Sequence, residues 1–225
     1  MPTLHVLRVF CDDEGRFGSP LGVVLDQPAI PPERRQPLAA ELGFSETVYV
    51  DHPNTGQLRI FTPAAELPFA GHPLVGVAWL LRRHLSRPVT RLIPPAGPVQ
   101  TWTSDDRVWI RAPLAAAPFW RLHHMADAAS VDAMTEPPHP GQDADQFWAW
   151  IDQRAGTVRA RVFAARYGVP QDEACGSASM LLAAHLGRPI TIHHGRGSLI
   201  YASPAPEAMA DVGGRVAWDH ERAVD

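Results

Sequence analysis

The stretch DEACGSASMLLAAHL, residues 172–186, decides the fold of this chain. It opens on an acidic turn and continues into an almost wholly apolar segment that ends at Gly187. Such a segment, followed by glycine, predicts a buried helix over residues 177–186. Cys175 and Gly176 stand directly before the predicted helix. The question is whether this helix start acts through the thiol or through its backbone amides.

An earlier stretch has the same layout, which indicates an internal repeat. RIFTPAAELPFAGHPLVGVAWLL (residues 59–81) and RVFAARYGVPQDEACGSA (residues 161–178) both run from Arg, aliphatic and Phe through a Pro-containing loop. Each then has a small residue, Gly and a polar residue before an apolar helix, which is predicted at residues 73–84 in the first copy. A repeated strand–loop–buried-helix unit predicts two similar domains. We place them at residues 1–115 and 116–225.

Size and composition bound the protein class. The chain has 225 residues, of which 45% are hydrophobic and 20% charged, and this is typical of a globular protein with a real core. The net charge of -4 and the scattered arginines argue against a nucleic-acid partner. Neither a membrane-spanning run nor a secretory signal is recognisable. Two distant cysteines favour reduced thiols, so a soluble, cytoplasmic protein of α/β type is expected.

Strands are predicted through most of the remaining chain. Residues 4–10 and 157–164 alternate between apolar and polar side chains, and residues 21–26 read as a second strand. Between residues 115 and 156 the pattern weakens, which predicts a long loop with one helix at DQFWAWIDQ (residues 145–153).

Both helix starts are candidate anion sites. A helix N-terminus exposes unpaired N–H groups and carries partial positive charge. Gly71 and Gly176 would allow a ligand close to the backbone, and His72 and Ser177 would cap the helix or donate to the ligand. Either pair alone is equally an ordinary cap. Their shared context favours a clamp on a carboxylate or phosphate.

Three side chains are candidates for acid–base chemistry. Glu46 lies between an apolar phenylalanine and a strand, so partial desolvation would raise its pKa, although a solvent-facing turn carboxylate is the commoner case. Asp172 is either a site carboxylate or a surface loop acid. Cys175 at a helix start would have a lowered pKa, unless it is simply a small buried residue. The histidine pairs lack partners at ligand spacing, so no metal is expected.

Five collinear blocks resemble the signature blocks of the PhzF-like phenazine-biosynthesis isomerase family. They are GSPLGVVLD, LGFSETVYV, RIFTPAAELPFAGHPLVGVAWLL, YGVPQDEACGSASMLLAAHL and GRGSLIYASP with VGGRVAW, and they extend over nearly the whole chain. The resemblance implies an α+β, diaminopimelate-epimerase-like fold. In that fold two similar domains each wrap a β-sheet or barrel around a central helix, and the active site lies in the interdomain cleft.

The same resemblance implies a function. Glu46 would move a proton on a small carboxylate-bearing metabolite, with His72, Asp172 and Ser177 as catalytic partners. The amides of Gly71, His72, Gly176 and Ser177 would hold the carboxylate, with Cys175 as a further substrate-binding residue. No cofactor is implied, a homodimer is expected, and the reaction is expected to belong to secondary metabolism.

The chain departs from the family pattern in three ways. Ala70 stands where true epimerases of this fold have the first of two cysteines, which argues against two-base racemisation. Cys175 stands where the family usually has threonine. The second domain is short between residues 115 and 156, so part of the pocket wall is expected to be missing or to come from a second subunit. The alternatives to the isomerase are an epimerase or racemase using Cys175, and a catalytically silent carboxylate-binding protein.

Overall fold

The computed structural model describes residues 2–25 and 30–224. Its strands are β1 Thr3–Cys11, β2 Ser19–Val24, β3 Glu46–His52, β4 Gln57–Phe61, β5 Glu66–Leu67, β6 Arg91–Leu92, β7 Val99–Ser104, β8 Arg107–Pro113, β9 Arg121–His124, β10 Asp145–Asp152, β11 Thr157–Ala164, β12 Val169–Asp172, β13 Ile190–His194, β14 Ser198–Ala205 and β15 Met209–Ala223. The helices are α1 Pro32–Leu42, α2 Gly71–Leu85, α3 Ala128–Asp132 and α4 Gly176–Leu186. The chain is therefore of the α+β class. Asp26, the last residue of the second predicted strand, lies outside the described residues.

The strands form one long mixed sheet. Its order is β5-β4-β3-β2-β1-β15-β14-β13-β11-β10-β9, with β8, β7 and β6 branching from β15 and with β12 paired to β11. Three pairs are parallel, β2 with β3, β9 with β10 and β11 with β13, and the others are antiparallel. The last strand, β15, connects the β1 side of the sheet to the β14 side. Its residues 215–223 pair with β1, and its residues 209–214 pair with β8 and β14.

The repeat in the sequence is present in the structure. In the first copy β4 is followed by the short antiparallel β5 and then by α2, and in the second β11 is followed by β12 and then by α4. Helix α2 packs on β1, β2, β3, β8 and β15, and α4 packs on β14 and β15. The predicted helices are thus confirmed, and α4 ends at Leu186, followed by Gly187 in the left-handed conformation, φ 64°.

The helix predicted at residues 145–153 is wrong. These residues form β10, which lies between β9 and β11 and buries the side chains of both of its faces over residues 145–149. A strand that is covered on both sides has a continuous apolar sequence, and periodicity alone does not separate it from a buried helix. The segment before β10 is also more ordered than expected, since it contains β9 and α3.

The apolar core explains why both repeat helices are hydrophobic nearly all round. Leu74 and Leu81 of α2 and Met180 and Leu182 of α4 are fully buried in one cluster with the inward side chains of the sheet. No helix within residues 2–25 and 30–224 is long and apolar enough to cross a membrane. Burial of these helices in the protein core therefore accounts for their composition.

Candidate active site

A cleft lies where helices α2 and α4 begin. The cleft and the solvent space at its mouth together contain about 420 Å³ that no atom occupies. All of the site residues predicted from the sequence line it: Glu46, Gly71, His72, Asp172, Cys175, Gly176 and Ser177. The other lining residues are Thr62, Leu67, Phe69, Ala70, Pro118, Trp120, Ala164, Tyr167 and Val169. The fold thus brings residues of both repeat copies to one place.

The two helix starts meet backbone to backbone. A Cβ atom added to Gly71 would lie 3.0 Å from the carbonyl carbon of Gly176, and one added to Gly176 would lie 2.9 Å from the backbone nitrogen of His72. Contacts this short leave no space for a side chain. The sequence suggested that glycine admits a ligand here. The structure gives a further reason, since glycine lets the two helices approach each other.

Neither helix has a side-chain cap. The residues that precede α2 and α4, Ala70 and Cys175, accept no backbone hydrogen bond with their side chains. The first-turn N–H groups of a helix have no acceptor within the helix itself. Two helix starts with partial positive charge therefore face one cleft, and this arrangement favours an anion.

The two carboxyl groups of the cleft are buried, and their pKa values are raised. Glu46 is the first residue of β3, and its Oε2 atom lies 3.5 Å from Nδ1 of His72. Burial raises the pKa of Glu46 to about 7. Burial, together with the nearby Glu46 charge, raises the pKa of Asp172 to about 6. These values suit groups that exchange protons near neutral pH.

His72 is neutral in this environment. Burial lowers its pKa to about 4, although the charge of Asp172 acts in the opposite direction. Within the described part of the chain, Nε2 of His72 and Oε2 of Glu46 are buried without a hydrogen-bond partner. Buried polar atoms normally have partners, so these two are available to a bound molecule.

The expectation of a lowered pKa for Cys175 is wrong. Burial and then the negative charge of Asp172 raise the pKa of the thiol well above its usual value. These effects outweigh the favourable field of the helix start. Cys175 is therefore a protonated thiol at neutral pH, and its Sγ atom lies 3.6 Å from Oγ of Ser177.

Two aromatic residues of the cleft were missed by sequence reasoning. Nε1 of Trp120 donates a 3.0 Å hydrogen bond to Oγ of Ser177, and the rings of Trp120 and Tyr167 pack edge to face, 5.2 Å apart. Trp120 and Pro118 belong to the segment between residues 115 and 156, so this shortened segment does supply part of the wall. Its sequence is aperiodic and contains no motif that would have marked Trp120.

The loop before α4 is held by hydrogen bonds to residues that do not line the cleft. The Glu173 carboxylate accepts hydrogen bonds from the backbone N–H of Arg196 (2.9 Å) and from Oγ of Ser198 (3.0 Å). Nδ1 of His194 donates to the carbonyl of Glu173 (2.8 Å). These contacts hold the backbone that carries Asp172, whose Oδ1 atom accepts from the N–H of Ala174.

Comparison with known proteins gives the family. The trans-2,3-dihydro-3-hydroxyanthranilate isomerase of Pseudomonas fluorescens is 32% identical to this chain over 217 aligned positions, which cover 80% of this chain and 78% of the relative. The chain belongs to the PhzF family. The family profile described as phenazine biosynthesis-like protein matches residues 7–111. An uncharacterized isomerase of Pasteurella multocida is 39% identical over 94 residues, 40% of this chain and 32% of the relative. The PhzF-family chain is accordingly an isomerase.

Solved structures support the same fold. A PhzF-family protein of Enterococcus faecalis has a TM-score of 0.78 at 17% identity, with 98% of this chain and 97% of that chain covered. A predicted epimerase of Pseudomonas aeruginosa also has a TM-score of 0.78, at 21% identity, covering 100% and 99% of the two chains. A probable proline racemase of Agrobacterium radiobacter reaches 0.67 at 14% identity, covering 100% and 93%. The chain thus shares the α+β fold of these PhzF-family, epimerase and racemase structures.

Proposed function

We propose that this PhzF-family isomerase moves a proton on a small carboxylate-bearing metabolite without a cofactor, with Glu46 as the acid–base group. The observation that carries the proposal is the buried Glu46, with a pKa of about 7, in the cleft where two uncapped helix starts meet. A carboxylate of this kind is substantially ionised at neutral pH and readily returns a proton that it has taken up.

The proposed reaction has two proton transfers. Ionised Glu46 removes a proton from a carbon of the substrate, and the electron pair left behind moves into the neighbouring unsaturated system and carboxylate. The amides of Gly71, His72, Gly176 and Ser177 stabilise the developing negative charge. The carboxylic acid of Glu46 then returns the proton to a different carbon on the same face. Atoms and charge are unchanged overall, as an isomerisation requires.

Neutral His72 and Asp172 complete the proposed polar surround. His72 faces Glu46 across 3.5 Å, and its unpartnered Nε2 atom is available to a polar group of the substrate. Asp172, with its raised pKa of about 6, exchanges a proton with a heteroatom of the substrate in the same pH range. Both residues are buried, so bulk water does not compete for these contacts.

A cyclic, unsaturated or amino-bearing carboxylic acid is the proposed substrate class. Curated relatives act, by their names, on trans-2,3-dihydro-3-hydroxyanthranilate. In this chain, the cleft beyond the helix starts is lined by Leu67, Phe69, Trp120, Tyr167 and Val169, which are apolar or aromatic. Such a wall suits a flat hydrocarbon ring, while the helix starts suit its carboxylate.

The test is solvent deuterium exchange. The protein is incubated in D2O with trans-2,3-dihydro-3-hydroxyanthranilate and with open-chain amino acids, and deuterium incorporation and product are followed by NMR. We expect isomerisation of the cyclic acid and a loss of about 100-fold or more in Glu46→Gln, because general acid–base catalysis contributes about 10²–10⁴-fold. Unchanged turnover in Glu46→Gln would refute the mechanism.

Two alternatives make different predictions in the same assay. A racemase acting through Cys175 would exchange the α-proton of an amino acid and would lose that exchange in Cys175→Ser. The racemase alternative is disfavoured because Ala70 supplies no second acid–base group and because the Cys175 thiol is protonated. A catalytically silent protein would bind carboxylates in a thermal-shift assay and incorporate no deuterium.

We also propose the domain and subunit organisation implied by the family. The two units are residues 1–115 around α2 and residues 116–225 around α4. The single strand β15 contributes to both, since it pairs with β1 and with β14. A homodimer is proposed from the same resemblance. Light scattering should give twice the chain mass of 24.6 kDa, and a monomer at micromolar concentration would refute the dimer.

A further inference from the structure

The hydroxyl of Ser177 has two polar neighbours, and one of them, Trp120, can only donate to it. Nε1 of Trp120 lies 3.0 Å from Oγ of Ser177, and an indole nitrogen is only a donor. Sγ of Cys175 lies 3.6 Å from the same oxygen. Either of these two atoms is able to donate to the other, and a thiol group is both a weak donor and a weak acceptor. A serine hydroxyl has two lone pairs and one proton.

With the indole N–H on one lone pair of the Ser177 oxygen, the proton of the Ser177 hydroxyl must point away from Trp120. Ser177 and Trp120 are both buried, so water does not readily replace the indole as a partner. Ser177 also lines the cleft at the start of α4, next to Gly176. A carboxylate bound in the cleft is a stronger acceptor than the Cys175 sulfur, so it would take the Ser177 proton, beside the helix amides that donate there as well.

We propose that Trp120 is a positioning residue that fixes the Ser177 hydroxyl as a hydrogen-bond donor, so that the cleft selects a carboxylate over neutral groups that bring their own donors. The inference rests on the proposed function and names the part of the substrate that this side of the cleft recognises. A ligand that presents N–H or O–H at this place would meet only donors, and unmatched buried donors weaken binding.

The edge-to-face contact with Tyr167 supports this role. The two rings lie 5.2 Å apart at an interplanar angle of 60°, which limits rotation of the indole and keeps its N–H aimed at Ser177. The hydroxyl of Tyr167 donates in turn to the carbonyl of Phe119 (3.0 Å). Trp120 is therefore held by packing as well as by its own hydrogen bond.

The test compares two probes that differ at one group, anthranilate and anthranilamide, by isothermal titration calorimetry. The key variant is Trp120→Phe, which keeps an aromatic ring and removes the N–H. We expect anthranilate to bind about three- to tenfold more weakly in Trp120→Phe, the range expected for one hydrogen bond. Anthranilamide should bind equally well or better, because the freed Ser177 oxygen accepts from its amide N–H.

A matched control separates this effect from general damage. Trp150→Phe makes the same change at a half-buried tryptophan of β10 that does not line the cleft, and both dissociation constants should stay within twofold of wild type. Ser177→Ala should lower anthranilate affinity by at least as much as Trp120→Phe. In turnover of the cyclic acid, Trp120→Phe should raise KM more than it lowers kcat.

The outcomes separate this inference from the proposed function. If Trp120→Phe leaves the preference for anthranilate over its amide unchanged while Glu46→Gln abolishes turnover, the role of Trp120 is refuted and the isomerase proposal stands. If no substrate is turned over but the preference falls only in Trp120→Phe and Ser177→Ala, the isomerase proposal fails and the recognition role stands. Equal binding of both probes by the wild type refutes the role directly.

Discussion

Replacing Glu46 with glutamine should stabilise the protein at high pH while removing its activity. The folded state raises the pKa of this carboxyl from 4.5 to about 7 by burial. The folded protein therefore holds a proton that the unfolded chain releases between these two pH values. The contribution of Glu46 to stability is complete below pH 4.5 and is lost as the pH rises through 7.

The magnitude follows from the size of the shift. One pKa unit corresponds to about 1.4 kcal/mol, so a shift from 4.5 to about 7 corresponds to roughly 3 kcal/mol of lost stability above pH 8. Glutamine resembles the protonated carboxyl in shape and carries no charge at any pH. Glu46→Gln should therefore match the wild type near pH 4.5 and exceed its free energy of unfolding by roughly 3 kcal/mol at pH 9.

Urea denaturation at pH 5, 7 and 9, followed by fluorescence, measures this difference. Glu41→Gln is the matched control, because it makes the same change at an exposed carboxyl. Its free energy of unfolding should stay close to that of the wild type at each pH. The reasoning is refuted if the advantage of Glu46→Gln does not grow with pH, or if the wild type is the more stable protein at pH 9.

Three further predictions concern the same cleft. The kcat/KM of the wild type should rise with pH with an apparent pKa near 7, since the proposed base must be ionised. A rise in kcat/KM that is already complete below pH 5 would show that a different group acts. Gly71→Ala and Gly176→Ala should each lower the free energy of unfolding by about 1–3 kcal/mol in urea titrations, because the new Cβ has no space, and equal stability would contradict the close helix contact. Cys175 should resist iodoacetamide at pH 8 in the native state, and Cys175→Ser should keep isomerase activity within about threefold, whereas rapid alkylation would disprove a protonated, buried thiol.

The two apolar helices could be predicted because their signals are local. Pro73 in the first turn and an apolar body mark α2, and Gly187 marks the end of α4. Their repeated context also placed Gly71 and Gly176 in corresponding positions. Such residues can be recognised in the sequence because the contiguous pattern around them is what forms the helix start.

Strand β10 could not be predicted from its own residues. Phe147, Trp148 and Ala149 are all buried because β9 and β11 flank the strand and both of its faces are covered. The apolar run is equally compatible with a helix until those neighbours are known. Trp120 was missed for a related reason, because its importance comes from one hydrogen bond to Ser177, which lies far away in sequence.

Sequence alone determined the two glycine-containing helix starts and the family that the blocks resemble, because glycine, helix-start and apolar patterns lie in contiguous residues. The tertiary structure decided their chemical state. Whether Cys175 is a thiolate or a thiol, and whether Glu46 holds a proton near pH 7, depends on burial and on charges brought from other strands and helices. The thiol that first draws attention in residues 172–186 is thus a protonated neighbour of Ser177. The helix amides and Glu46 carry the proposed chemistry.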